Sequence, residues 1–416
     1  MIDFQQFTLK NGLNVIVHQD TTTPIVAFNL CYAVGAKDEN PERTGFAHLF
    51  EHLMFGGSIN IPSFDGPLQE VGGDNNAFTS NDITNYYITL PKSSLETAFW
   101  LESDRMLSLA FSEKSLEVQR NVVVEEFKQR YLNQPYGDAI LLLRPLAYLK
   151  HPYRWPTIGK KIEHIKEASL AEVKDFFYKF YRPNNAVLSI AGDVSLEEIK
   201  QLTEKWFGGI ESGEKVERNY PQEEQQIQPR SLTVERDVPL HAIYKAYHMV
   251  ERNHPDYYAF DLLSDVLSRG NSSRLHRRLI KGQKLFTDVQ AYVGGDFDPG
   301  LFTIAGHLNP TVKMEDAEKA ILQEIIEIQE NGVGEEELAK VKNKVITVHE
   351  FAQTSVLNKA MSLAIAAVLD KPELVNEEVE NYKKVTTAEL QRVAKTHLKA
   401  DNCSTLYYLS KNISNG

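Results

Sequence analysis

The stretch GGIESGEKVERNYPQEEQQIQPR, residues 208–230, is polar, rich in Glu, Gln and Pro, and without apolar period. That composition marks a linker. Before it, the patterns predict a hairpin over residues 4–17 turning at Asn11-Gly12, a strand at 25–34 and a helix starting near Thr44 as its N-cap. Helical patterns follow at 67–71, 94–108, 113–132, 169–180 and 195–206, with strands at 76–80, 84–90 and 186–190. Beyond residue 230 the order begins again: strands at 231–235 and 241–248, a helix at 257–267, strands at 288–292 and 301–307, long helices, and a last strand at 404–409. The expected fold is therefore α+β, an internal duplication of two homologous sandwich-like halves, each a mixed sheet with helices packed on it. The division predicted is 1–212, a linker at 213–230, and 231–416.

A length of 416 residues fits two large domains. Hydrophobic residues at 42% and charged residues at 25% suffice for full cores and exclude a disordered or collagen-like chain. Forty-five basic residues against 57 acidic ones give a net charge of −12, which argues against nucleic acid as a partner. Cys31 and Cys403 sit in apolar runs far apart, as small buried hydrophobes rather than a bridge. The most apolar stretch, near 361–369, is too short to span a bilayer. Met1-Ile2-Asp3-Phe4 lacks the marks of a signal peptide, so a cytoplasmic location is expected, with a periplasmic one still compatible. Without such a signal, the acceptor patterns at Asn271-Ser272-Ser273 and Asn412-Ile413-Ser414 carry no weight.

The sharpest chemical signal is His48-Leu49-Phe50-Glu51-His52. On a helix, positions i, i+3 and i+4 share a face, which places both imidazoles beside the carboxylate. Catalytic zinc (Zn2+) takes three protein ligands and keeps one position open. His48 and His52 can supply two, leaving Glu51 to accept a proton from water and pass it to a leaving amine. The surrounding Phe46, Leu49, Phe50, Leu53, Met54 and Phe55 make the helix apolar nearly all round, so these polar groups need a partner, which a metal provides. A surface helix that happens to carry two histidines is the bland alternative.

A third ligand must come from elsewhere. In Val122-Val123-Val124-Glu125-Glu126-Phe127, two carboxylates follow an apolar run on a helix expected to be largely buried. Periodicity does not choose between Glu125 and Glu126.

With these motifs the chain resembles the pitrilysin/insulinase inverzincin peptidases, and in length the branch of mitochondrial processing peptidase subunits and their bacterial relatives. The resemblance is strongest over residues 45–91 and 121–129. It implies a zinc endopeptidase with zinc on His48, His52 and Glu126 and with Glu51 as general base. Glu126, 74 residues past His52, is close to the family's spacing. Gly72-Gly73-Asp74-Asn75-Asn76-Ala77-Phe78-Thr79, followed by Asp82, Thr84 and Tyr86, resembles the family's edge strand, which implies that Asn76, Ala77, Phe78 and Thr79 bind substrate as an added β-strand.

Two departures change what the resemblance implies. The family's further Glu, seven residues before the third ligand, is Gln119 here, able to hydrogen-bond a ligand but not to act as a base. The Arg and Tyr that bind the scissile carbonyl fall on Ile280 and Thr287, and neither can replace them. Nearby Arg277, Arg278 and Tyr292 are out of register. In this branch zinc and the Arg/Tyr pair can be split between subunits, so the expected assembly is a dimer with a homologous subunit, hetero favoured over homo. A non-catalytic structural subunit of the same fold is the rival reading. Where the second half aligns with His48 and His52 it has Phe260 and Ser264, with Asp261 and Asp265 read as a solvated face. No glycine-rich turn continues into a phosphate-binding motif.

Overall fold

A computed structural model describes residues 1–413; Ser414, which closes the second acceptor pattern, lies outside them. The chain runs β1 (Gln5–Thr8), β2 (Asn14–Gln19), β3 (Ile25–Tyr32), α1 (Phe46–Leu53), α2 (Asp65–Glu70), β4 (Asp74–Thr79), β5 (Thr84–Pro91), α3 (Leu95–Leu107) and α4 (Glu113–Phe127). Next come α5 (Ala139–Ala147), α6 (Ile162–Lys166), α7 (Leu170–Phe180), β6 (Ala186–Gly192), α8 (Leu196–Phe207), β7 (Arg230–Arg236) and β8 (Ala242–His248). It ends with α9 (Tyr257–Ser268), β9 (Phe286–Val293), β10 (Leu301–Leu308), α10 (Met314–Asn331), α11 (Glu335–Ala352), α12 (Val356–Val368), α13 (Leu374–Lys384), α14 (Thr387–His397) and β11 (Cys403–Ser410).

The two sheets bear out the expected duplication. One has the order β1-β2-β6-β3-β5-β4, the other β7-β11-β8-β10-β9. The parallel pair is β2–β6 in one and β7–β11 in the other, and every further pairing is antiparallel. Only β1 has no counterpart. The β1–β2 turn is one residue longer than the Asn-Gly signal suggests. Leu9 faces Leu13 across Lys10, Asn11 and Gly12, and Gly12 takes φ +89°, where a side chain would be strained. Asn11 instead turns its amide to the carbonyls of Phe207 and Ile210.

The chain forms two compact units, each discontinuous: Met1–Lys128, Trp155–Tyr220 and His349–Glu377 in one, Gln129–Arg154, Pro221–Val348 and Glu378 onward in the other. The polar stretch contains the crossing at Tyr220, but residues 129–154 and 349–377 lie with the opposite unit from their sequence neighbours. Their apolar faces explain it. Val356 and Ala360 of α12 pack on Ala27 of β3 and Ala191 of β6, where small residues let a helix approach a sheet closely. Ala139, Leu143 and Ala147 of α5 cover Ala242, Ala246 and Leu406 of the second sheet. The linker itself has no regular structure yet is fastened. Arg218 pairs with Asp38 at 3.0 Å, and the Glu223 carboxylate accepts the backbone N–H groups of Leu149, Lys150 and His151. Among the described residues, no helix is long and apolar enough to cross a membrane.

Candidate metal centre

Helix α1 starts one residue later than Thr44 suggests, and its cap comes from outside the helix. Gly45 adopts φ +92°, and a Cβ there would meet Ile165 at 2.7 Å and the Ile158 carbonyl at 2.8 Å. The carboxylate of Glu39, deep in the preceding loop, accepts the N–H groups of Gly45 and Ala47, each at 2.9 Å, and the Trp155 indole N–H at 3.1 Å. Burial pushes this carboxyl up to about 8 against those three donors. Thr44 is used elsewhere: its hydroxyl oxygen accepts from Lys160 N–H and meets His164 Nδ1 at 2.8 Å.

Held this way, α1 lies against α4. The Nε2 atoms of His48 and His52 each stand 3.4 Å from Glu126 Oε2, and the two imidazole rings are nearly perpendicular, 4.9 Å apart. Donors around a tetrahedral ion at about 2.0–2.1 Å are separated by roughly 3.3–3.4 Å, which is the separation of each nitrogen from the carboxylate oxygen here. The ligand atoms of these three residues all lie within 4.8 Å, and they are the only such group among the described residues. The structure also separates the two adjacent acids. Glu125 points outward, mostly exposed, and binds Lys128 Nζ, while Glu126 turns to the histidines. Helix α4 is not largely buried as expected: Leu116, Val123, Val124 and Phe127 fill the core, whereas Val118 and Val122 remain exposed.

Glu51 lies beside the three donors and accepts a 2.6 Å hydrogen bond from Thr79 Oγ1. Burial raises its proton affinity and neighbouring Glu126 adds to this, opposed by the Thr79 bond and by His52. Thr79 ends β4, which is an edge strand, hydrogen-bonded only to β5 from Asp74↔Thr89 to Thr79↔Thr84. Strand alternation places the Ala77 side chain on the same face as Thr79, with Asn76 and Phe78 on the other. The Asn76 Oδ1 atom accepts the Ala77 N–H at 2.8 Å. Gln119 lies on α4 two turns before Glu126 and is half-buried.

Beneath this site is a buried group that patterning did not single out. Arg105 and Glu102, both on α3 and almost wholly buried, form a two-pronged pair at 2.5 and 2.6 Å. The guanidinium lies 4.3 Å from the Tyr86 ring and 4.4 Å from that of Phe64. Tyr86 OH reaches the carbonyl of Phe50, the residue before Glu51. An acid and an Arg three apart on an apolar helix was the available signal.

The other unit carries no equivalent centre among the described residues. Phe260 is wholly buried, and Ser264 donates to the Asp261 carbonyl. The solvated face expected of Asp261 and Asp265 is not found: Asp265 is buried beside Arg269, and Asp261 accepts the Tyr382 hydroxyl at 2.6 Å. Their helix α9 is buried nearly all round, which leaves no wet side for them. Ile280 packs on the apolar core, and the Thr287 hydroxyl donates to Asp288 and to the His307 carbonyl.

Comparison with known proteins adds to this geometry. Residues 14–142, which contain His48, Glu51, His52 and Glu126, match the insulinase description of peptidase family M16, and residues 167–345 match the peptidase M16 inactive domain. A zinc protease of Helicobacter pylori, PqqE, is 31% identical over 344 residues, covering 81% of this chain and 77% of that protein. A probable mitochondrial-processing peptidase subunit beta of Schizosaccharomyces pombe is 27% identical over 318 residues, covering 71% and 67%. The crystal structure of a protease from Helicobacter pylori superposes with a TM-score of 0.92 at 28% identity, covering 98% of this chain and all of that one.

Proposed function

The chain belongs to peptidase family M16, the insulinase/pitrilysin group, and from that premise we propose that it is a zinc metalloendopeptidase cleaving extended or unfolded peptides, with His48, His52 and Glu126 as zinc ligands and Glu51 as general base. The observation that carries the proposal is the meeting of two imidazole nitrogens with one carboxylate oxygen at 3.4 Å, with the Glu51 carboxylate beside them. Zinc held there supplies a Lewis acid for the scissile carbonyl and lowers the pKa of an attacking water. Glu51 takes the proton of that water and delivers it to the departing amine. The Thr79 hydroxyl fixes the carboxylate's orientation. The free edge of β4, from Asn76 to Thr79, offers main-chain groups to any extended peptide, which supplies affinity without strict sequence choice.

The chain has no Arg or Tyr at positions 280 and 287 to stabilise the oxyanion, a contribution often worth ~10²–10³ in rate. We therefore propose that it is the zinc-bearing subunit of a heterodimer whose homologous partner supplies that pair. The test is zinc-dependent cleavage of a quenched-fluorescent peptide library, by the chain alone and mixed with the homologous subunit, with chelator and Glu51→Gln as controls. Activity that rises on mixing and disappears in both controls is expected. Equal activity with and without the partner would overturn the split site. Inactivity in both preparations, without bound zinc, would overturn the peptidase.

A further inference from the structure

The two sheets repeat each other, but the helices laid on them do not. In the first unit β6 is followed at once by α8, which packs against β2 and α3. The Phe207 ring of α8 lies 6.5 Å from that of Phe28 on β3 and 6.3 Å from that of Phe99 on α3. Ile199 and Thr203, spaced to share its helix face, are buried with it. Lys205 Nζ and the Trp206 indole N–H both donate to Glu96, the second residue of α3, at 2.6 and 3.0 Å. In the second unit β7 stands where β2 does in the strand order, β11 where β6 does, and α10 follows the edge hairpin as α3 does. No helix follows β11 among the described residues.

The place that matches α8 is a groove of about 790 Å³, bounded by Thr233 of β7, Tyr407 and Leu409 of β11, and Val312, Met314 and Glu315 around the start of α10. Its floor is the sheet face that α10 covers, because the Tyr407 hydroxyl and Lys245 Nζ both donate to Glu318 of that helix. Val312, Met314 and Leu409 are only half-buried, so the groove keeps apolar surface in contact with water. Glu315 is the second residue of α10, as Glu96 is of α3, and it is exposed without an ion pair among the described residues. We propose that this groove docks an amphipathic helix of another protein, with its apolar face on β7 and β11 and a Lys or Arg on Glu315. Helix α8 supplies the pattern, since on the first sheet it joins the matching strand to the matching acid. The apolar face gives affinity, and the charge fixes which way round the helix lies. The groove is built from the second unit alone and holds none of the metal donors, so the proposal stands apart from the peptidase reading.

The probe is a labelled peptide with the sequence of residues 194–210, which spans α8 and both groups that bond Glu96. Fluorescence polarisation follows its binding to the full Glu51→Gln chain, chosen so that the probe is not cut. The chain's own α8 stays in place, because a tethered segment competes at an effective concentration in the millimolar range. Binding with a Kd below about 100 μM is expected. Glu315→Lys should weaken it about two- to fivefold, and a peptide carrying Lys205→Glu should recover that loss. Thr233→Trp, which fills the groove from an exposed position on β7, should weaken it about tenfold or more. Circular dichroism confirms that each variant is folded. No binding up to about 1 mM peptide, or binding that neither variant alters, would overturn the docking site. Self-association of the chain in light scattering that Thr233→Trp abolishes, with no binding of the peptide, would place a second copy in the groove and overturn the foreign helix.

Discussion

Thr79 Oγ1 donates a 2.6 Å hydrogen bond to Glu51 Oε2, joining the open edge of the first sheet to the acid on α1. The same strand that is positioned to hold a peptide thus also aims the carboxylate. A hydrogen bond to a charged group contributes about 1.5–3 kcal/mol, or roughly 10- to 100-fold in rate if it is fully needed in the transition state. Thr79→Val should lower kcat by about that factor with zinc content unchanged, whereas Thr79→Ser should retain most of the activity. Steady-state kinetics alongside metal analysis check both.

Glu125 and Glu126 are adjacent, yet only one faces the histidines. Glu126→Gln should reduce bound zinc from about one per chain to a small fraction, as should His48→Ala and His52→Ala. Glu125→Gln removes only a surface pair with Lys128, so zinc content should hold and stability should change by less than about 0.5 kcal/mol. Metal analysis after dialysis gives the answer, and zinc loss in the Glu125 variant would refute this assignment.

The Glu102–Arg105 pair is buried and stacked beneath Tyr86. Arg105→Ala leaves a carboxylate without its counter-charge and should cost about 3–5 kcal/mol. Glu102→Leu combined with Arg105→Met replaces the pair with apolar groups of similar volume and should recover much of that loss. Urea unfolding of the three proteins tests this; a double variant no better than the single would show that the charges themselves are required.

Lys359 of α12 bonds Asp20, just beyond β2, at 2.6 Å, and with Thr22 it holds that carboxyl well below its usual range. A depressed carboxylate contributes stability above the unfolded value of about 3.9 and loses it as the pH falls through the folded value. Lys359→Ala should therefore destabilise by about 1 kcal/mol at neutral pH, and the gap from the wild type should close below roughly pH 3. Denaturation at pH 7, 4 and 2 measures it. A gap independent of pH would mean that lost packing, not charge, is responsible.

What the sequence by itself determined is whatever depends on spacing along one element. His48, Glu51 and His52 share a face because a helix repeats every 3.6 residues, and the restart of strands and helices after residue 230 follows from patterns a few residues long. The two matching strand orders agree with that reading. Periodicity left Glu125 and Glu126 open, because both lie within one turn of the same helix; the family spacing pointed to Glu126, and the position of α1 is what turns that residue to the histidines. The tertiary structure alone supplied Glu39 as the cap of α1, an acid six residues before Gly45 that no local rule connects to the helix. It also sent α12 to the first sheet: an amphipathic helix announces that it has an apolar face, but which sheet receives it depends on the shape complementarity of Ala27, Ala191 and Ala360, residues brought together only by folding.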